Sequence, residues 1–165
     1  MTNENIQTAN PLDREVLTNR ALELHNMNYN CAQAVACTLA PIIGADEDVC
    51  FRTTEGFGAG MGGLTETCGA ISGAAAVVGM MNSSGIEDPT SKQRTYRLIR
   101  KLVGDFRARN GSTLCPELKG IGTGQPLCSC NKCIIDGVHL AADAIESIQQ
   151  QEQQEKQTSE EAARA

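Results

Sequence analysis

Residues 56–81 read GFGAGMGGLTETCGAISGAAAVVGMM: a glycine-rich approach, one cysteine, then a helix made almost entirely of small apolar side chains. Gly69 and Gly73 lie four apart and share a face with Ala76 and Val77, so another backbone or an inorganic group can approach this turn closely. With Thr65 or Thr67 as N-cap, Cys68 falls in the first helical turn. There, unpaired backbone N–H groups and the positive end of the helix dipole favour a thiolate or an anionic metal–sulfur cluster.

The rest of the composition supports tight helical packing. Hydrophobic residues make up 41% of 165 residues and aromatics only 3%, with no Trp. The core must therefore be Ala, Val, Ile, Leu and Met at short range, within one domain by length. A net charge of −6 argues against a nucleic-acid or anionic-membrane surface. Residues 1–15 have neither a basic nor an apolar leader region, and the apolar run 69–81 is too short to span a bilayer. The expected location is cytoplasmic, without membrane insertion. Eight cysteines in such a chain point to metal ligation or thiol redox chemistry rather than structural disulfides.

The pattern along the chain is helical throughout. Asn10 and Pro11 open a first helix with apolar positions Leu12, Val16, Leu17, Leu24 and Met27. Asn30 caps a second over 31–43, with Cys31 in its first turn and Pro41 able to end it early. Residues 44–54 read as a polar connection holding Cys50. Beyond the small-residue helix, Asp88-Pro89 starts a fourth, with Tyr96, Ile99, Leu102, Val103 and Phe106 along one stripe and a basic, solvated outer face. Asn110-Gly111 stops it. Cys115-Pro116 begins a single turn. The segment Cys128-Ser129-Cys130-Asn131-Lys132-Cys133 leads into a last helix. Its Ile134, Val138, Ala141, Ile145 and Ile148 form a short heptad seam, suited to an intramolecular bundle or a homodimer contact. The expected architecture is all-α: a single-domain bundle of about five helices over residues 10–150, with a glycine-rich loop before the central helix and flexible tails at 1–9 and 151–165.

Four cysteines, Cys31, Cys68, Cys115 and Cys133, each lie at or just before an expected helix start. Several helix N-termini aimed at one point lower the cost of a negatively charged tetrathiolate site. One such cysteine alone reads as a buried, inert thiol; four at equivalent positions read as a site. A competing set exists, because Cys128, Cys130 and Cys133 form a C-x-C-x-x-C run with Cys115 nearby. Cys37 reads as core. His25 and His139 read as surface or satisfied core residues, His139 remaining an outside ligand candidate. The glycine run 58–63 follows no strand and precedes no Gly-Lys-Ser/Thr, so a nucleotide loop is not indicated. No grouping for hydrolysis is present.

Asn30-Cys31-Ala32-Gln33-Ala34-Val35, the glycine-rich lead into Cys68-Gly69-Ala70-Ile71-Ser72-Gly73, Cys115 with Leu118 and Gly120, and Cys133 before a helix together carry a resemblance. Over most of residues 15–148 the chain resembles the bacterial C-GCAxxG-C-C family, considered redox-active and related to the iron–sulfur domain of split-Soret cytochromes. The resemblance implies a helical domain whose signature cysteines are Cys31, Cys68, Cys115 and Cys133. The additional Cys37, Cys50, Cys128 and Cys130 depart from that pattern. With no Cys-x-x-Cys-His, covalent c-type haem is not expected. Three functions follow, in descending order: an iron–sulfur protein, [2Fe–2S] for preference, exchanging single electrons with an unidentified redox partner protein; a thiol-disulfide oxidoreductase or redox sensor centred on Cys68; and a zinc-stabilised binding module built on Cys115, Cys128, Cys130 and Cys133.

Overall fold

The computed structural model describes residues 10–164. Among them are seven α-helices and no strand, the all-α class expected, with two short helices beyond the five main ones. The expected tail at 1–9 lies outside the described residues.

Helix α1, Arg14–Asn26, begins later than Asn10-Pro11 suggested, because the Asp13 carboxylate caps it by accepting from the N–H groups of Glu15 and Val16. Leu17, Ala21 and Leu24 turn inward; Val16 and Met27 lie outside. Helix α2, Cys31–Leu39, is closed by a capping box: Asn30 accepts from Ala32 and Gln33, and the Gln33 side chain accepts from Asn30. Pro41 sits in a single 3-10 turn, Ala40–Ile43, that ends it.

Residues 44–54 are not simply a connection. They contain α3, Glu47–Thr54, capped by Asp46, and Cys50 and Thr54 are its buried face. Cys50 is therefore a core residue rather than a loop cysteine. The glycine-rich segment forms a turn of π-helix, Gly60–Leu64. Ala59, Met61 and Leu64 flanking and within it take left-handed φ values of 51°, 60° and 57°, which L-residues adopt at a cost.

Helix α4, Gly69–Asn82, has Cys68 itself as its N-cap residue, so it begins one residue later than a Thr67 cap implies. After a short 3-10 turn, α5 covers Lys92–Asn110 and stops at Gly111, φ 82°. Leu102 and Phe106 are buried, whereas Tyr96 is 54% exposed and outside the stripe assigned to it. Helix α6 is one turn, Cys115–Lys119. Helix α7 runs Cys130–Arg164; its buried residues end at Ile148, and 151–164 are helical but fully exposed. Ile134, Val138, Ala141, Ile145 and Ile148 are all buried inside the chain, so the heptad seam is spent on the bundle. No described helix is long and apolar enough to cross a membrane.

Small residues decide how the bundle closes. A Cβ at Gly73 of α4 would run into the Ala32 carbonyl of α2, and one at Gly137 of α7 would lie 2.9 Å from the Ala70 carbonyl oxygen of α4. Backbones of α2, α4 and α7 thus touch, and each contact falls in the first two or three turns of the helices. Three cysteine-bearing helix starts are brought together by that closeness.

Candidate metal and thiol centre

At the meeting point of these helix starts is a cavity of about 170 Å³ lined by six cysteines: Cys31, Cys68, Cys115, Cys128, Cys130 and Cys133. All four signature positions and both additional candidates therefore face one space. Cys37 and Cys50 do not; they lie buried between α2 and α3, with the Cys37 thiol 3.7 Å from the Glu47 carbonyl oxygen.

Each sulfur is placed by a local device. Cys31 is the first residue of α2, and its sulfur receives N–H groups from Ala59 and Ala32. Cys68 and Cys115 are tied by two backbone hydrogen bonds, Cys68 N–H to the Thr113 carbonyl (2.9 Å) and Cys115 N–H to the Glu66 carbonyl (2.9 Å). This isolated antiparallel bridge at Thr67 and Leu114 fixes two cysteines 47 positions apart in register. Cys128 is held by its N–H to the Leu118 carbonyl (3.2 Å), and Cys133 by its N–H to the Ser129 carbonyl (3.0 Å).

Glycines clear the space around the sulfurs. A Cβ at Gly69 would lie 2.5 Å from the Cys31 sulfur and 2.9 Å from the Phe57 carbonyl oxygen. One at Gly60 would lie 2.6 Å from Cys115 Cβ. Real side chains do not approach so closely, so cysteine side chains occupy the volume that a larger residue at Gly60 or Gly69 would need.

Cys133 is the proton donor at the centre. Its S–H points to Cys128 Sγ at 3.1 Å and also bonds the Cys68 sulfur. The bond from Cys133, then the Ala70 and Ile71 N–H groups of α4 and the Lys119 ammonium, lower the Cys68 pKa to about 7 against the opposing cost of burial. The same bond to Cys68, with burial, drives the Cys133 thiol strongly upward. Burial raises Cys128 and Cys31, and with the charges of Cys68 and Cys31 pushes Cys115 up to about 11. Cys68 is thus the cavity thiol whose pKa is pulled down, while those of Cys31, Cys115, Cys128 and Cys133 are pushed up.

Three contributors were not anticipated from sequence. Lys119 lines the cavity and its ammonium bonds the Cys130 sulfur; its spacing four residues after Cys115 on one turn is a signal that was there to use. The Ala59 amide left no sequence signal, since its direction depends on how the glycine-rich segment packs against α2. His25 also lines the cavity, with Nδ1 2.9 Å from the Tyr29 carbonyl oxygen. His139 is satisfied elsewhere, between Thr18 Oγ1 at 2.8 Å and the Arg14 carbonyl oxygen at 3.1 Å. Among the described residues no three Cys, His, Asp or Glu side chains are already drawn in around a single point as the ligands of one ion are. The sulfurs ring a space instead.

The model of the family described as "Putative redox-active protein (C_GCAxxG_C_C)" matches residues 29–144. The chain belongs to the C_GCAxxG_C_C family. No curated protein and no solved structure matches it. The family match begins just before Cys31 and ends beyond Cys133, so all six cavity cysteines of this C_GCAxxG_C_C protein lie within it. Its redox character is thus attached to a domain whose thiols share one cavity.

Proposed function

We propose that this protein is an iron–sulfur redox protein in which Cys31, Cys68, Cys115 and Cys133 hold one cluster, [2Fe–2S] for preference, for electron exchange with a partner protein. One observation carries the reading: four cysteines far apart in sequence, three at helix starts and Cys133 in the first turn of α7, line a single cavity. The donor set suits such a group. Soft thiolates are its ligands, the N–H groups of Ala59, Ala32, Ala70 and Ile71 offset their negative charge, and Lys119 adds a full positive charge at the wall. Bound there, the cluster would supply one-electron transfer. The chain's own residues deprotonate, orient the sulfurs and exclude bulk water; Cys133 must give up the proton it shares with Cys68 and Cys128 when it binds. Reconstitution under strict anaerobiosis, followed by visible and EPR spectra of the dithionite-reduced protein, tests this: a rhombic S = 1/2 signal is expected, and a colourless, EPR-silent protein would overturn it.

A second reading, thiol-disulfide exchange led by Cys68, draws on the lowering of that pKa to about 7. It requires one thiol that alkylates much faster than the other seven near neutral pH, and an activity lost in Cys68→Ser without any metal. The zinc reading on Cys115, Cys128, Cys130 and Cys133 has less support, because it leaves Cys31 and Cys68, which line the same cavity, without a role.

A further inference from the structure

We infer that Cys128 and Cys133 form a dithiol–disulfide couple that exchanges two electrons with small aliphatic disulfides. The couple stands independently of the iron–sulfur reading; only its consequence for cluster loading rests on that reading.

The two sulfurs are 3.1 Å apart, so about 1 Å of approach separates them from a disulfide bond of roughly 2.05 Å. Both line the cavity and both are buried, at 6% and 3% exposure, where water competes little for the pair. Cys128 is aimed by a polar network. Its thiol donates to Asn110 Oδ1 at 3.0 Å; Lys132 Nζ donates to the same oxygen at 2.8 Å and to Asp136 Oδ2 at 2.6 Å; Asn110 Nδ2 donates to Asp136 Oδ2 at 3.0 Å. Three side chains from two helices thus fix one sulfur against another. Cys128 precedes α7 by two residues, so its segment can shift without unwinding the helix that carries Cys133.

The chemistry balances in two exchanges. One protein thiolate attacks the small disulfide, a mixed disulfide forms, and one small thiol departs. The other protein sulfur attacks the protein-bound sulfur of the mixed disulfide, the Cys128–Cys133 bond forms, and a second small thiol departs. Two protein thiols lose two electrons, the small disulfide gains them, and the two protons leave on the departing thiols. Cys133 cannot be a disulfide partner and a cluster ligand at once, so oxidation of the pair closes the site to loading and reduction reopens it.

The test uses the full chain, reduced, stripped of metal by a chelator and checked for fold by circular dichroism. The chain is treated with bis(2-hydroxyethyl) disulfide, its free thiols are counted, and tryptic peptides are mapped. Trypsin cuts at Lys132, between the two cysteines, so the peptides remain joined only through a disulfide. The expected result is loss of two of the eight thiols, with a joined pair that disappears in Cys128→Ser and persists in Cys130→Ser, and no iron uptake until a dithiol reductant is added. Retention of all eight thiols, a bond from Cys133 to Cys68, or a joined pair that survives Cys128→Ser would overturn the couple. If the disulfide forms but the reduced chain never takes up iron, the couple stands and the iron–sulfur reading falls.

Discussion

At the scale of single residues, glycine and cysteine act as partners. Gly69→Ala places a methyl 2.5 Å from the Cys31 sulfur and 2.9 Å from a carbonyl oxygen, so helix and thiol must separate. The expected cost is about 1–3 kcal/mol in a urea unfolding curve, with iron uptake reduced. Gly104→Ala is its control: nothing lies within 4 Å of the added Cβ in the exposed middle of α5, and the change should stabilise by about 0.5–1 kcal/mol. Lys119→Gln removes the ammonium that bonds Cys130, and a cathode-side shift of the midpoint potential, to more negative values, is expected in protein film voltammetry. Much at this scale was legible beforehand. Cysteine after Asn30 announces a helix start through local capping chemistry, whereas at Cys68 neither expected threonine caps the helix and the N-cap residue makes no side-chain bond. What was not legible depends on distant contacts: the direction of the Ala59 amide, the proximity of Cys128 to Cys133, and the burial of Cys50.

At the scale of elements, helix termini carry the site, so capping losses should register in both stability and loading. Asn30→Ala removes the acceptor for two α2 amides and a donor to the Glu55 carbonyl (2.9 Å). A loss of about 1 kcal/mol is expected, seen as a fall in Tm of roughly 2–4 °C for a chain of this size. Asp136 ties α5 to α7. Burial raises its pKa, but the bonds from Lys132 and Asn110 and the charge of Arg109 more than offset this and hold it below the usual carboxylate range. A depressed carboxylate pKa gives stability that is present above the unfolded value near 3.9 and lost as pH falls through the lower folded value. Asp136→Asn should therefore be less stable than the parent chain at pH 7, with the gap narrowing below about pH 4, as read from denaturation midpoints across that range. The long helices were readable because their apolar positions recur with helical period. Helix α3 was not: it has eight residues and only two buried positions, too few to make a stripe, and its Asp46 cap resembles any loop aspartate. Tyr96 failed for the opposite reason, matching the period of α5 at a place where the helix has left the core.

At the scale of the whole molecule, three helices packed backbone to backbone turn a dispersed cysteine pattern into one cavity. The all-α class followed from periodicity and the lack of aromatic bulk, and Gly73 and Gly137 show why small residues were needed. The extent of α7 was not legible, because a Gln- and Glu-rich segment without apolar anchors can be helical without packing on anything. Deleting residues 151–165 removes no buried side chain among those described, so stability should change by less than about 0.5 kcal/mol and iron uptake should be unaffected. The central claim is that four helix starts gather Cys31, Cys68, Cys115 and Cys133 around one inorganic redox group. It is tested most directly by iron and acid-labile sulfide analysis of anaerobically reconstituted protein beside the four single Cys→Ser variants and Cys37→Ser. About two iron and two sulfide per chain are predicted for the parent and for Cys37→Ser, with both lost or halved in each of the four; a parent chain that holds neither, or holds zinc in their place, would contradict it.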